Sequence, residues 1–213
     1  SLSSDKIQIN MTLQVKISKK PVPYKTAFSL LKKRVELIKK SKGRELVWLL
    51  EHPITFTCGI RSKESEILDK KIKVIKTNRG GKITLHSPGQ KIVYFVLNLN
   101  KRKRDIKNLV KQIELCIIDF LKLYLIKSHA DKKNIGIWVR DKKIAAIGIR
   151  VSNWVAYHGF SININNDLNH YKKIIPCGLD NTKITTANIE SKTKIFNIDN
   201  KLKDIFLKKL KNI

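Results

Sequence analysis

Residues 135–164, IGIWVRDKKIAAIGIRVSNWVAYHGFSINI, decide the fold. Two apolar runs, IGIWV and IAAIGIRV, flank Arg140-Asp141-Lys142-Lys143, which reads as a hairpin with a polar turn. WVAYHGFSINI follows as a further strand. Upstream, LVWLLEHP reads as a buried strand that stops at Pro53, IKVIKT as a short strand, and IVYFVLNL as another apolar strand. Helical spacing appears in three places. Tyr24, Ala27, Phe28, Leu31, Val35 and Ile38 share one face over 24–38, with Pro23 near the start. Over 105–125, Ile106, Leu109, Val110, Ile113, Cys116, Ile117, Phe120, Leu121 and Tyr124 form a broad apolar face. Ile198, Leu202, Ile205, Phe206 and Leu210 do the same over 198–210. Strands and helices mix without strict βαβ alternation. The pattern therefore predicts an α/β (α+β) fold, a mixed β-sheet with packed helices. With 213 residues, 42% of them hydrophobic, and no internal repeat or low-complexity linker, the chain is read as a single domain over 1–213. Ser1–Ser4 are read as an added remnant and set aside.

The formal net charge of +28, from 45 Lys+Arg against 17 Asp+Glu, divides the functional classes. It fits a polyanion partner or a compositional bias toward lysine. Aromatics make up 7%, and no basic run is interleaved with them, which argues against specific nucleic-acid readout. The charge would still steer acidic proteins to the surface. No apolar run is long enough to span a bilayer, so no membrane partner is expected. SLSSDKIQIN has no secretory apolar core, and the expected location is the cytoplasm.

Three cysteines, Cys58, Cys116 and Cys177, are odd in number and lack metal-type spacing. Neither a disulfide framework nor a metal site is expected. Cys116 falls on the apolar helix face and reads as a core thiol, while Cys58 in TFTCGI stands at a strand-to-loop junction. Cys177, between Pro176 and Gly178, sits on a constrained turn. A thiolate is the nucleophilic form, and a nearby lysine lowers a thiol pKa from about 8.5 toward neutrality. By position alone, however, Lys143 is one of many solvated turn lysines. RGGKITLHSPGQ, residues 79–90, reads as a ligand-cradling loop with Arg79 and His86 at its ends, or as a glycine-rich hairpin. His86 or His158 could alternatively serve as base to a cysteine nucleophile.

Taken together, RGGKITLHSPGQKIVY, KKIAAIGIRVSNWVAYHGFSININNDL and IIPCGL resemble the octanoyltransferases of lipoate biosynthesis, in that family's order and at its spacing. The resemblance implies the fold shared by biotin and lipoate protein ligases. It implies transfer of an octanoyl group from octanoyl-acyl carrier protein to a lysine of lipoyl domains, on the E2 subunits of 2-oxoacid dehydrogenases and on glycine cleavage H protein. It makes Cys177 the nucleophile that carries the acyl thioester and Lys143 the residue that lowers its pKa, close together across a pocket. Substrate-binding positions carry over onto Arg79, Gly80, Gly81, Lys82, Ile83, Thr84, Leu85 and His86, onto Ala146, Ile147 and Gly148, and onto Gly159, Phe160 and Ser161. The apolar residues among 83–85 and 146–147 would line the acyl tunnel, and backbone N–H groups near Cys177 and Gly178 are candidate oxyanion donors. No ATP, metal or other cofactor is implied, and a monomer is expected. Leu85 stands where the family usually has an aromatic, and Ser161 where it often has alanine. Both departures bear on acyl-chain preference. The competing readings are an ATP-dependent lipoate or biotin ligase, told apart by a requirement for ATP, and a basic nucleic-acid-binding protein, told apart by strongly salt-dependent binding.

Overall fold

The computed structural model describes residues 13–180 and 183–213. Residues 1–12, including the Ser1–Ser4 stretch, lie outside the described residues, as do 181–182 and the side chain of Cys177.

The elements run β1 (Leu13–Ile17), α1 (Tyr24–Lys39), β2 (Glu45–Leu50), β3 (Thr55–Cys58), β4 (Val74–Lys76), β5 (Thr84–His86), β6 (Gln90–Asn98), α2 (Ile106–Lys122), β7 (His129–Ala130), β8 (Ile137–Val139), β9 (Lys142–Ser152), β10 (Val155–Asn163), α3 (Ala187–Glu190) and α4 (Ile198–Leu210). A seven-stranded sheet has the order β1-β2-β6-β10-β9-β8-β7. Its β1–β2 pair is parallel and the remaining pairs are antiparallel. The fold is thus the expected mixed sheet with packed helices. A second sheet of three strands, β4-β3-β5, stands beside it.

The central strands read as continuous apolar runs because both faces of the large sheet are covered. Along β6, Val93, Phe95 and Leu97 enter one core with Ile113, Phe120 and Phe206 of α2 and α4. Ile92, Tyr94 and Val96 enter the other, against Ala27, Leu31 and Val35 of α1. Asp105 caps α2 by accepting from Asn108 N at 2.9 Å, a contact worth about 1 kcal/mol. The predicted helix over 105–125 ends at Lys122, and Leu125 at φ 59° turns the chain away.

Two expectations are corrected. The polar turn over 140–143 is only Arg140-Asp141, with Arg140 at φ 54°. Lys142 and Lys143 already belong to β9, paired with Val139 and Trp138. Because a two-residue hairpin turn leaves the next residues in the ladder, Lys143 is 7% exposed and not a solvated turn lysine. The glycine-rich segment is not merely a hairpin either, since Thr84–His86 forms β5 and pairs with β3. Cys116 is fully buried, as expected of a core thiol, and burial pushes its pKa up.

Candidate active site

A cavity of about 320 Å³ opens between the two sheets, and its wall gathers residues from segments far apart in sequence. β9 contributes Lys143, Ala146, Ile147 and Gly148; β10 contributes His158, Gly159, Phe160 and Ser161. The 79–86 segment contributes Arg79, Gly80, Gly81, Lys82, Thr84 and His86, and the turn after Cys177 contributes Gly178 and Leu179. Pro176, on the other side of Cys177, borders with Lys143 a smaller adjoining recess. Cys177 itself lies in the 3-10 turn Pro176–Gly178. The three sequence blocks therefore meet at one cavity.

Ile83 and Leu85 are corrections to the expected lining. In a strand successive side chains alternate, so when Thr84 and His86 face the cavity their neighbours cannot. Ile83 and Leu85 are fully buried in the core of the small sheet, with Phe56, Tyr171, Ile174 and Ile184. The Leu85 departure is accordingly a packing change in that core. Ser161 does face the cavity.

Lys143 is held from three sides. Its Nζ lies 5.8 Å from the centroid of the Trp138 ring. Its Cε and Nζ occupy the space that a side chain on Gly136 would need. Its carbonyl oxygen accepts from Thr185 N at 3.0 Å. No ion pair to Lys143 exists among the described residues. The segment carrying Cys177 is pinned by main-chain bonds at both ends. Upstream, Ile175 N donates to Glu66 O at 2.8 Å and Leu68 N to Lys173 O at 2.9 Å; downstream lies the Thr185–Lys143 bond. Within the turn, Gly178 N donates to Ile175 O at 3.3 Å and Leu179 N to Pro176 O at 2.9 Å. The Gly178 amide is thus committed inside the turn, which corrects its assignment as an oxyanion donor. Gly178 has φ 73°, and a Cβ there would stand 2.5 Å from Lys82 Nζ. Lys82, paired with the buried Glu66 at 3.2 Å, lays its ammonium against the turn that carries the cysteine.

Arg79 acts as a clip. Its Nη2 donates to Thr57 O and Oγ1 at 3.0 and 2.8 Å, and its Nη1 to Gly80 O at 2.9 Å, tying the 79–82 loop to β3. The opposite wall is formed by Tyr24 and Tyr94, with the fully buried His52 packed behind them, a group of rings that sequence reading missed because the three come from separate segments. His52 Nδ1 donates to Val22 O at 2.5 Å, so its Nε2 accepts from Tyr94 Oη at 2.8 Å. Gln90 Nε2 donates to Leu85 O and Asn163 Oδ1, which leaves its Oε1 to accept from His86 Nδ1 at 2.7 Å. That fixes a proton on His86 Nδ1 and leaves Nε2 as an acceptor. His158 Nε2 donates to Asn78 Oδ1 at 2.9 Å.

Burial pushes the pKa of His86 down to about 3, helped by His52; that of His158 goes to about 3, helped by Arg79, and that of His52 to about 4. All three are neutral in the folded protein, and values near 3 make His86 and His158 bases too weak to take a proton from a thiol. The stability consequence follows. The folded values lie below the ordinary 6.5, so the unfolded chain binds more protons as pH falls. The contribution is complete above about pH 6.5 and is lost toward the folded values, at up to about 1.4 kcal/mol per pH unit for each histidine. The melting temperature is expected to fall between about pH 6.5 and 4.5, above the carboxylate range, with net proton uptake on unfolding. A flat profile in thermal denaturation across that window would contradict the assignment of neutral, buried histidines.

No cluster of three or more metal-ligating side chains occurs among the described residues. No helix among them is long and apolar enough to cross a membrane.

Residues 23–212 match the lipoyl protein ligase A/B catalytic domain family. An octanoyltransferase of Wolbachia sp. subsp. Brugia malayi (strain TRS) is 40% identical over 198 residues, covering 90% of this chain and 97% of the relative. Among solved structures, the bipartite lipoate protein ligase of Thermoplasma acidophilum superposes with a TM-score of 0.71 at 15% identity, over 93% of this chain and 83% of that one. The biotin acetyl coenzyme A carboxylase synthetase of Helicobacter pylori gives 0.56 at 12% identity, over 93% and 75%. The fold is therefore that of the lipoate and biotin protein ligases. With one family matched along almost its whole length and a relative this similar, the chain belongs to the lipoyl protein ligase A/B catalytic domain family and, within it, to the octanoyltransferases, which are acyltransferase enzymes.

Proposed function

We propose that this protein transfers an octanoyl group from octanoyl-acyl carrier protein to a lysine of lipoyl domains, through an acyl thioester on Cys177. The observation that carries the reading is the convergence of the Pro176–Gly178 turn and the buried Lys143 on one cavity. In the first half-reaction the Cys177 thiolate attacks the thioester carbonyl. The new S–C bond forms, the pantetheine C–S bond breaks, and the pantetheine sulfur leaves as the thiol with a proton taken from the Lys143 ammonium. One thioester replaces another, so the step is nearly balanced and needs no ATP. In the second half-reaction the acceptor amine attacks the acyl-cysteine. The amide N–C bond forms, the Cys177 S–C bond breaks to regenerate the thiolate, and the amine proton passes to Lys143, neutral since the first half-reaction, which becomes an ammonium again. Amide formation from a thioester is downhill and drives the cycle.

Before acylation the Lys143 ammonium puts a positive charge in a sheltered place, which favours the thiolate. Ile92, Tyr94, Ile147 and Phe160 give the cavity an apolar wall for the chain. Burying the seven carbons beyond the carbonyl at about 0.8 kcal/mol each gives roughly 6 kcal/mol of binding before ordering costs. No metal or nucleotide takes part in this scheme, and the protein acts as a monomer on two protein substrates, with lipoyl domains of 2-oxoacid dehydrogenases and glycine cleavage H protein as acceptors.

The test is the intact mass of the protein after incubation with octanoyl-acyl carrier protein in the absence of ATP. A gain of one octanoyl group is expected. If acyl transfer instead required ATP and left no adduct on the enzyme, the adenylate-forming ligase reading would replace this one.

A further inference from the structure

The aromatic wall of the cavity has an outer side. Tyr24 borders both the cavity and a shallow groove that runs along α1 beside β4. The floor of the groove is apolar and continuous with the site. Phe28 stacks on His158 with centroids 5.5 Å apart, and Tyr24 stacks on His86 at 6.0 Å. The rim is cationic. Lys25, Lys32 and Lys33 are exposed, and none of them has an ion pair among the described residues. The one carboxylate on the rim, Glu36, is already bonded to Lys39 at 2.9 Å. Lys25 and Lys32 are seven residues apart, two helical turns, or about 10 Å along the axis. Phe28 lies between them, with Lys32 Nζ 5.5 Å from its ring centroid. Across the groove, Ile75 of β4, an edge strand of the small sheet, adds to its apolar floor.

An apolar strip between cations spaced two turns apart is complementary to a helix that carries carboxylates at the same spacing around an apolar residue. We infer that this α1–β4 groove is the docking surface for the acidic acyl-carrier donor, an inference that rests on the acyl-transfer reading above. Reach separates donor from acceptor. An acyl group on a long prosthetic arm can be delivered from a flank of the site. An acceptor lysine, with four methylenes, has to be brought to the cavity mouth itself.

The experiment reverses charge in the groove with Lys25→Glu/Lys32→Glu/Lys33→Glu. The control makes the same change in net charge on the opposite side of the large sheet, with Lys107→Glu/Lys111→Glu/Lys122→Glu on exposed positions of α2. Acyl-enzyme formation is followed with octanoyl-acyl carrier protein and with octanoyl-N-acetylcysteamine, a small thioester that needs no docking. The groove variant is expected to raise KM for the carrier substrate at least tenfold and to leave the small thioester within twofold. The control variant is expected to change the carrier KM less than threefold. An unchanged carrier KM overturns the inference, as does an equal loss in the control or an equal loss with both thioesters. So does a loss confined to the lipoyl-domain acceptor, which would assign the groove to that partner. Binding of unacylated carrier protein, measured by titration calorimetry, reads the groove independently of chemistry. If neither thioester acylates the wild-type protein, the acyl-transfer reading fails, while the groove is still decided by whether its charge reversal removes carrier binding.

Discussion

Cys177→Ala is expected to leave no octanoyl adduct and to lower overall transfer by about 10⁴-fold. Two bimolecular acyl transfers are linked in this scheme only by the thioester on Cys177. Without the thiol, the acceptor amine has to attack the carrier-bound thioester directly, and both proteins have to be engaged at once. What remains is the contribution of binding and of the electropositive cavity, which Lys143 and Lys82 still provide. The fold should be indifferent to the change. Cys177 lies on a 3-10 turn whose ends are fastened by backbone bonds, so melting should shift by no more than a few degrees. Intact mass after exposure to octanoyl-acyl carrier protein and a transfer assay with a lipoyl domain check the two halves. Turnover at the wild-type rate would remove the covalent intermediate from the mechanism.

Lys143→Met should lower the rate of acyl-enzyme formation by about 10²–10⁴-fold. It should also move the rising limb of the pH–rate profile up toward the ordinary thiol value of about 8.5. Methionine is chosen because it keeps the length and apolar stem of the side chain, which runs through the space beside Gly136 and against Trp138. Removing the ammonium takes away the charge that favours the thiolate and the group that receives the amine proton. The two roles separate experimentally. Raising the pH should recover much of the acylation rate, because the thiol then ionises unaided, whereas the step onto the acceptor lysine should recover less. A loss with no change in pH profile would remove the charge role and leave Lys143 as a proton relay, whereas no loss at all would mean that it acts by packing alone.

How much of this was legible beforehand depended on the length and locality of each signal. The helices 24–39, 106–122 and 198–210 declare themselves through one-sided apolar spacing over several turns, and β6, β9 and β10 through long apolar runs. Of the small sheet, β4 was legible within IKVIKT and the end of β3 at Cys58, but the three residues of β5 were hidden in the glycine-rich segment, and the pairings join segments up to about thirty residues apart. β1 pairs in parallel with β2 across the whole of α1, a contact with no local trace. At the site, the three sequence blocks pointed to a common location, and the cavity gathers residues of all of them. What failed was orientation. Thr84 and His86 face in while Ile83 and Leu85 face away, an alternation that becomes visible only once the segment is known to be a strand. Lys143 read as solvated because turn length decides its burial, and composition does not reveal whether a polar tetrapeptide turns with two residues or four. The wall of Tyr24 and Tyr94, backed by His52, was invisible because each residue is unremarkable among its own neighbours.

The fastening of the 174–185 segment has a consequence for how such a site can change over generations. Its anchors, from Ile175 to Glu66 and from Thr185 to Lys143, use amide and carbonyl groups that every residue other than proline supplies. Among the described residues, the path between the anchors therefore rests on the main chain, while side-chain identity is held by space at Gly178, which has no room for a Cβ, and at Ile184, packed in the small-sheet core. Drift in this segment can retune the surroundings of the thiol while the main chain keeps it within the compass of the same lysine.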